Sequence, residues 1–158
     1  MASGRKKSHF FFYILIMEKY VGGVILSHGQ LGAGLLAAAE MIVGELPFIT
    51  AVSIGWHDDV ETARDEIARA IKQVSAGRGV LILTDMFGGA PTNIAAMFLE
   101  NDVEILTGVN LPMVVRLGRQ TQTGNLKEIA QQVLQQGRDE IYLAGELLAA
   151  PTVRSKKV

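Results

Sequence analysis

With 158 residues and a formal net charge of −1, the chain has room for one packed core and carries no global basic field that would hold nucleic acid. It contains no cysteine, which excludes a disulfide framework, a thiol nucleophile and thiolate metal sites and fits the cytoplasm, its expected location. At 49% hydrophobic and 20% charged residues, the composition is that of a globular domain.

The first sixteen residues stand apart. Arg5-Lys6-Lys7 followed by Phe10-Phe11-Phe12-Tyr13-Ile14-Leu15-Ile16 resembles the opening of a signal peptide, but Glu18-Lys19 interrupts the run and no small-residue cleavage site follows. The run is also shorter than the ~20 residues that cross a bilayer. Met17 directly precedes the first plausible core strand. Residues 1–16 are therefore expected to be an upstream-start or non-native extension, with an extra strand or a sticky anchor as the competing reading. Residues 17–150 are expected to form a single α/β domain, and 151–158, with Arg154, Lys156 and Lys157, a solvated basic tail.

From Tyr20 onward two patterns alternate. Val21–Leu26, Ile49–Ile54, Val80–Thr84 and Val103–Leu106 are short runs rich in Val, Ile and Leu, as strands covered on both faces require. Residues 31–43 are apolar on one side through Leu35, Leu36, Ala39 and Ile42. In residues 60–74, Val60, Ala63, Ile67, Ile71 and Val74 recur at helical spacing with charges opposite. Asp58, three residues before Glu61, reads as the cap of that helix. A third helix is predicted over Pro91–Leu99, with proline in the first turn. Leu126, Ile129, Ala130, Val133 and Leu134 mark a late amphipathic helix ending near Gly137. Ile141-Tyr142-Leu143-Ala144 reads as a fifth strand or a partner-docking segment. The β–α repeats predict a doubly wound, mainly parallel four-stranded sheet with helices on both faces.

The chemistry lies where these strands end. Ser27-His28-Gly29 follows the first, and a tight turn there exposes an imidazole. His9 and His57 carry no such context. Asp85-Met86-Phe87-Gly88-Gly89-Ala90-Pro91-Thr92-Asn93 follows the third strand, placing a carboxylate beside a glycine pair that opens a helix. Open α/β sheets bind ligands at that edge, and backbone N–H groups there can hold an anion. Asp85 either caps the following helix or accepts a hydrogen bond from Nδ1–H of His28. In the second case it fixes the tautomer, leaves Nε2 to attack, and stabilises positive charge on the ring, as the aspartate of a hydrolase triad does. No serine elbow accompanies the pair, so hydrolysis is not implied. A phosphoryl group on His28 would find N–H donors at Gly88, Gly89 and Ala90, and Thr92 could add a hydroxyl.

Gly108-Val109-Asn110-Leu111-Pro112-Met113 follows the fourth strand, either as plain turn chemistry or as an apolar rim. Leu111, Pro112 and Met113, together with Trp56 and Phe87, are the candidate partner-docking residues. A metal held by His28, His57 and Asp85 lacks ligand spacing, so neither a metal nor an organic cofactor is expected. Gly32-Ala33-Gly34-Leu35-Leu36-Ala37 fits a loose dinucleotide pattern, but it begins after the strand has ended and no acidic residue ends the second strand to hold a ribose.

Together the Ser-His-Gly, Asp-to-Asn and Gly-to-Met segments resemble the IIA component of the mannose/fructose/sorbose family of the bacterial phosphotransferase system, over about Tyr20 to Tyr142. The resemblance implies a cytoplasmic protein that takes phosphate from phospho-HPr and passes it to a histidine of a IIB protein, here a separate one. It implies that His28 is phosphorylated with Asp85 as its hydrogen-bonded partner. It also implies a homodimer that exchanges a C-terminal strand, which Ile141–Ala144 would supply, and an indirect membrane association through a transporter complex. Many members have serine where Ala90 stands, which shifts an expected phosphate contact toward Thr92.

Three alternatives keep the fold and change the chemistry. A receiver phosphorylated on Asp85 would need an acidic pair after the first strand, where Ser27-His28-Gly29 stands. A regulatory binding module would use phospho-His28 as a signal without sugar transport. A nicotinamide enzyme would have to use the glycines near Gly32.

Overall fold

The computed structural model describes residues 19–55, 59–100, 102–120 and 123–149. Four strands, β1 (Gly22–His28), β2 (Ile49–Ile54), β3 (Val80–Thr84) and β4 (Val103–Thr107), form one all-parallel sheet in the order β2-β1-β3-β4. Around it lie α1 (Leu31–Val43), α2 (Val60–Val74), α3 (Ala90–Ala95) with a 3-10 turn at Ala96–Phe98, α4 (Leu111–Gly118), α5 (Leu126–Asp139) and α6 (Ala144–Ala149).

The side-chain alternation of the strands divides the core in two. Val21, Ile25, Leu81 and Leu83 face α1, α4 and α5, packing with Ala39, Met113, Leu117, Ile129 and Val133. Val24, Leu26, Val80 and Ile82 face α2 and α3, packing with Ala63, Ile67, Val74, Ile94 and Ala95. The sheet is thus covered on both faces, and the inner strands β1 and β3 read as continuous apolar runs for that reason. Ile25, Leu26, Leu81, Ile82 and Leu83 are fully buried. Each such side chain contributes about 1.5–3 kcal/mol by leaving water, which fixes β1 and β3 as the rigid centre. Close packing also explains Gly22, because a Cβ there would lie 2.4 Å from the carbonyl oxygen of Val74.

Several elements differ from the sequence-based expectations. Strand β1 runs on through Ser27 and His28, which pair with Ser53 and Ile54, so His28 is the last strand residue. The third helix is split into α3 and its 3-10 turn. Helix α4 falls where a loop or rim was expected: Asn110 is its cap, accepting from Met113 N at 3.1 Å, and Pro112 occupies its first turn. Helix α2 is capped by Asp59, which accepts from Thr62 N, whereas Asp58 lies outside the described residues. A full capping box occurs instead at Asn125 and Glu128 of α5.

That helix runs two residues past Gly137, which is a packing residue and not a stop: a Cβ there would meet Met113 Cγ at 2.5 Å. Residues Ile141 to Leu143 form no strand in the single chain; they and α6 are exposed throughout. A segment that pairs with no strand leaves its apolar side chains in water and gains nothing from the strand conformation.

Candidate functional site

The strand order places the site. The chain steps from β1 to β2 on one side and then to β3 on the other, so the carboxyl ends of β1 and β3 flank the point where the winding reverses. His28 ends β1, and Asp85 directly follows Thr84, the last residue of β3. The register pairs Leu26 with Thr84, so the two strands end side by side and His28 and Asp85, 57 residues apart in sequence, come within hydrogen-bond reach.

Asp85 Oδ2 lies 2.8 Å from His28 Nδ1 and also accepts the backbone N–H of His28 at 2.8 Å. Its other oxygen, Oδ1, accepts the Met86 N–H at 2.9 Å. Burial pushes the Asp85 carboxyl upward and is the largest single influence on it. The His28 N–H, the hydrogen bond and charge of the His28 ring, and the Met86 N–H together outweigh that burial and hold the carboxyl below its ordinary 3.8. The carboxylate is therefore an acceptor only, and the proton in the 2.8 Å contact belongs to Nδ1. In the neutral ring Nε2 then carries the lone pair. The His28 side chain is 43% exposed and that of Asp85 only 11%, so the ring is open to solvent while the carboxylate stays sheltered.

Both loops are pinned. Ser27, fully buried, accepts the Gly32 N–H at 2.8 Å and ties the end of β1 to the start of α1. Ser53, on the edge strand, donates to the Gly29 carbonyl at 2.7 Å and holds the turn just after His28. In the other loop Gly88 adopts φ +81°, a conformation that favours glycine. Gly89, extended at φ −81°, passes close under the imidazole: a Cβ there would sit 3.0 Å from Cε1 and 3.5 Å from Nε2 of His28. Ala90, exposed, begins α3, which has no side-chain cap. Gly89 thus brings the loop backbone up against the Nε2 side of the ring.

Thr92 departs from its expected role. Its hydroxyl donates to the Met86 carbonyl at 2.6 Å and contacts Thr84 Oγ1 at 2.9 Å, and the residue is buried. Its only proton is spent on the loop, so donation to a phosphate is not available without breaking that bond.

The residues expected to form a docking rim differ in exposure and surroundings. Phe87 is 81% exposed, and Met86 beside it, unremarked in the sequence, is 56% exposed. Leu111 and Pro112 are half-buried at the start of α4. They line a groove of about 430 Å³ with Ile42, Val115, Arg116 and Arg119, and neither His28 nor Asp85 belongs to it. Met113 is a correction: it is 3% exposed and packs in the core against Gly137, because its position in α4 turns it toward the sheet. Trp56 and His57 lie outside the described residues, as do residues 1–18 and 150–158. Among the described residues, Thr84, Met86 and Ser53 support the site and were missed. Only strand register and loop geometry reveal them.

Residues 22–134 match the family described as PTS system fructose IIA component. The chain is 31% identical over 121 residues to the fructose-specific EIIA component of the phosphotransferase system of Bacillus subtilis (strain 168), covering 71% of this chain and 83% of that one. It is 34% identical over 99 residues to the mannose-specific EIIAB component of Escherichia coli (strain K12), which spans 58% of this chain and 29% of that protein. The solved structure of a mannose/sorbose-specific IIA subunit from Enterococcus faecalis superposes with a TM-score of 0.70 at 28% identity, covering 78% of this chain and 93% of that one.

Proposed function

The chain belongs to the family of fructose IIA components of the phosphotransferase system, and on that premise we propose that it is a phosphohistidine relay in sugar uptake, with His28 as the carrier. Members of this family act as phosphotransferase components of sugar uptake. In this reading His28 Nε2 attacks the phosphorus of phospho-HPr. The N–P bond to the donor breaks, its electron pair returns to the donor imidazole, and a new N–P bond forms on His28. The second transfer repeats the exchange with a histidine of a separate IIB protein as acceptor.

The observation that carries the proposal is the 2.8 Å contact between His28 Nδ1 and Asp85 Oδ2, with the ring 43% exposed. Phosphorylation at Nε2 leaves positive charge on the ring, and Asp85 stands where it offsets that charge. The N–H groups of Gly88, Gly89 and Ala90 are the proposed donors to the phosphoryl oxygens. Phosphoryl transfer asks for positioning and charge stabilisation more than for covalent chemistry, and a sheltered carboxylate with a backbone cradle provides both. Exposed Phe87 and Met86, with Leu111 and Pro112, are proposed to meet HPr and IIB.

The exposed Ile141, Tyr142 and Leu143 and the outer edge of β4 support a homodimer. Membrane contact in this reading goes through the transporter complex, from a cytoplasmic location. The test is incubation with phosphoenolpyruvate, enzyme I and HPr, followed by intact mass. Wild type is expected to gain one acid-labile, base-stable phosphoryl group, and His28→Ala to gain none. A phosphoryl group retained by His28→Ala at an acid-labile site would overturn the assignment.

A further inference from the structure

A chain of hydrogen bonds leads from the buried end of β3 to the imidazole. Thr84, fully buried, contacts Thr92 Oγ1 at 2.9 Å. Because a carbonyl only accepts, Thr92 is the donor in its 2.6 Å bond to the Met86 oxygen, and Thr84 must then donate to Thr92. On the other side of the same residue, Met86 N–H donates to Asp85 Oδ1 at 2.9 Å. That bond sets the rotation of the carboxylate, so that Oδ2 meets both the backbone N–H and Nδ1 of His28. Thr84 is tied to the next strand as well, its carbonyl accepting the N–H groups of Gly108 and Val109 at 2.9 and 3.0 Å.

We propose that Thr92 is a positioning residue for the His28–Asp85 pair: backed by Thr84, its hydroxyl fixes the Met86 backbone that aims the Asp85 carboxylate. This rests on the reading of His28 as the phosphate carrier. Met86 itself is 56% exposed, so its side chain has little packing to hold the segment, and Gly88 and Gly89 next to it are the most permissive residues of the loop. Without the hydroxyl, the peptide between Met86 and Phe87 loses its anchor, and the carboxylate loses the geometry it needs. Val keeps the volume and branching of Thr and deletes only the hydroxyl.

The test uses the full chain with Thr92→Val and Thr92→Ser. Single-turnover transfer from phospho-HPr is followed over a range of donor concentrations, and the Asp85 carboxyl is titrated by carbon NMR. In Thr92→Val the saturating rate is expected to fall about three- to tenfold, the effect of one neutral hydrogen bond. The half-saturating donor concentration is expected to change less than the saturating rate, because Leu111 and Pro112 of the proposed docking surface are untouched and only the Met86–Phe87 segment loses its anchor. The Asp85 titration is expected to move upward, and Thr92→Ser to restore both readouts.

A merely structural role would lower the melting temperature of Thr92→Val while leaving the rate of the folded protein and the titration unchanged, and that outcome overturns the proposal. Should Thr92→Val fail to fold, Thr84→Val carries the test, with a smaller loss in the same two readouts and its absence equally fatal. Wild type that takes no phosphate from active phospho-HPr would instead sink the carrier reading, while the carboxyl titration would still decide whether Thr92 aims Asp85.

Discussion

Gly89→Ala adds one methyl group 3.0 Å from Cε1 and 3.5 Å from Nε2 of His28. Ordinary carbon–carbon contacts are about 3.5–4.0 Å, so the ring must retreat by a few tenths of an ångström. It is 43% exposed and has room to swing outward, but only by stretching the 2.8 Å bond to Asp85. A hydrogen bond to a charged group is worth about 1.5–3 kcal/mol. Losing it in the transition state slows transfer by about 10- to 150-fold. The fold should not suffer, because Gly89 already has an extended backbone at φ −81°, ψ 170° that alanine adopts freely.

Gly88→Ala separates backbone strain from the clash with the ring, and is compared for stability alone, because its N–H is itself a proposed phosphate donor. Its φ is +81° with nothing within 4 Å of a new Cβ, so it should cost about 1–2 kcal/mol of stability through backbone strain without touching the ring. The assay pairs single-turnover transfer from phospho-HPr with thermal unfolding. Gly89→Ala is expected to transfer slowly and melt normally. A Gly89→Ala protein that transfers within threefold of wild type would refute the proposed role of this backbone in holding the His28 ring for transfer.

Asp85→Asn should slow transfer, and it should also change the pH dependence of stability. The folded carboxyl titrates below its ordinary 3.8, so its stabilising contribution is whole above that value and is lost as pH falls through the lower folded value. The gap in urea stability between wild type and Asp85→Asn is expected to close between about pH 5 and about pH 2; a gap that widens on acidification would contradict the sign. Thr107 Oγ1 is buried with no hydrogen-bond partner among the described residues, so Thr107→Val removes a desolvation cost of about 1–3 kcal/mol and should raise the melting temperature by several degrees. A lower melting temperature would mean that this hydroxyl has a partner after all.

Much of the fold was legible because its signals are local. The apolar runs of β2 and β3 and the periodicity of α1 and α2 fell on their observed bounds, since both strand and helix patterns repeat within a few residues. Helix α4 was misread although its signals were present: Asn110 as cap, Pro112 in the first turn, and Met113, Val114 and Leu117 along one buried side. The segment is only 8 residues long, and turn residues at its start compete with the helical pattern. The helix ends two residues beyond Gly137, near where it was expected, but the role of that glycine was not legible, because one required by a neighbour's side chain looks the same in sequence as one that ends a helix.

The sequence by itself determined that an imidazole and a carboxylate each end a strand, and that two glycines follow the carboxylate. Those are properties of neighbours along the chain. Only the tertiary structure decided that the two meet, because the order β2-β1-β3-β4 makes β1 and β3 adjacent and their register ends the two strands side by side, within reach of the His28–Asp85 hydrogen bond. It also decided which hydroxyl does what: Ser53 reaches the His28 turn from the edge strand, and Thr92 turns inward to Met86 and Thr84 instead of toward Nε2. A hydroxyl has one proton to donate, and which acceptor lies within reach is a matter of register and loop path, which no local pattern in the chain encodes.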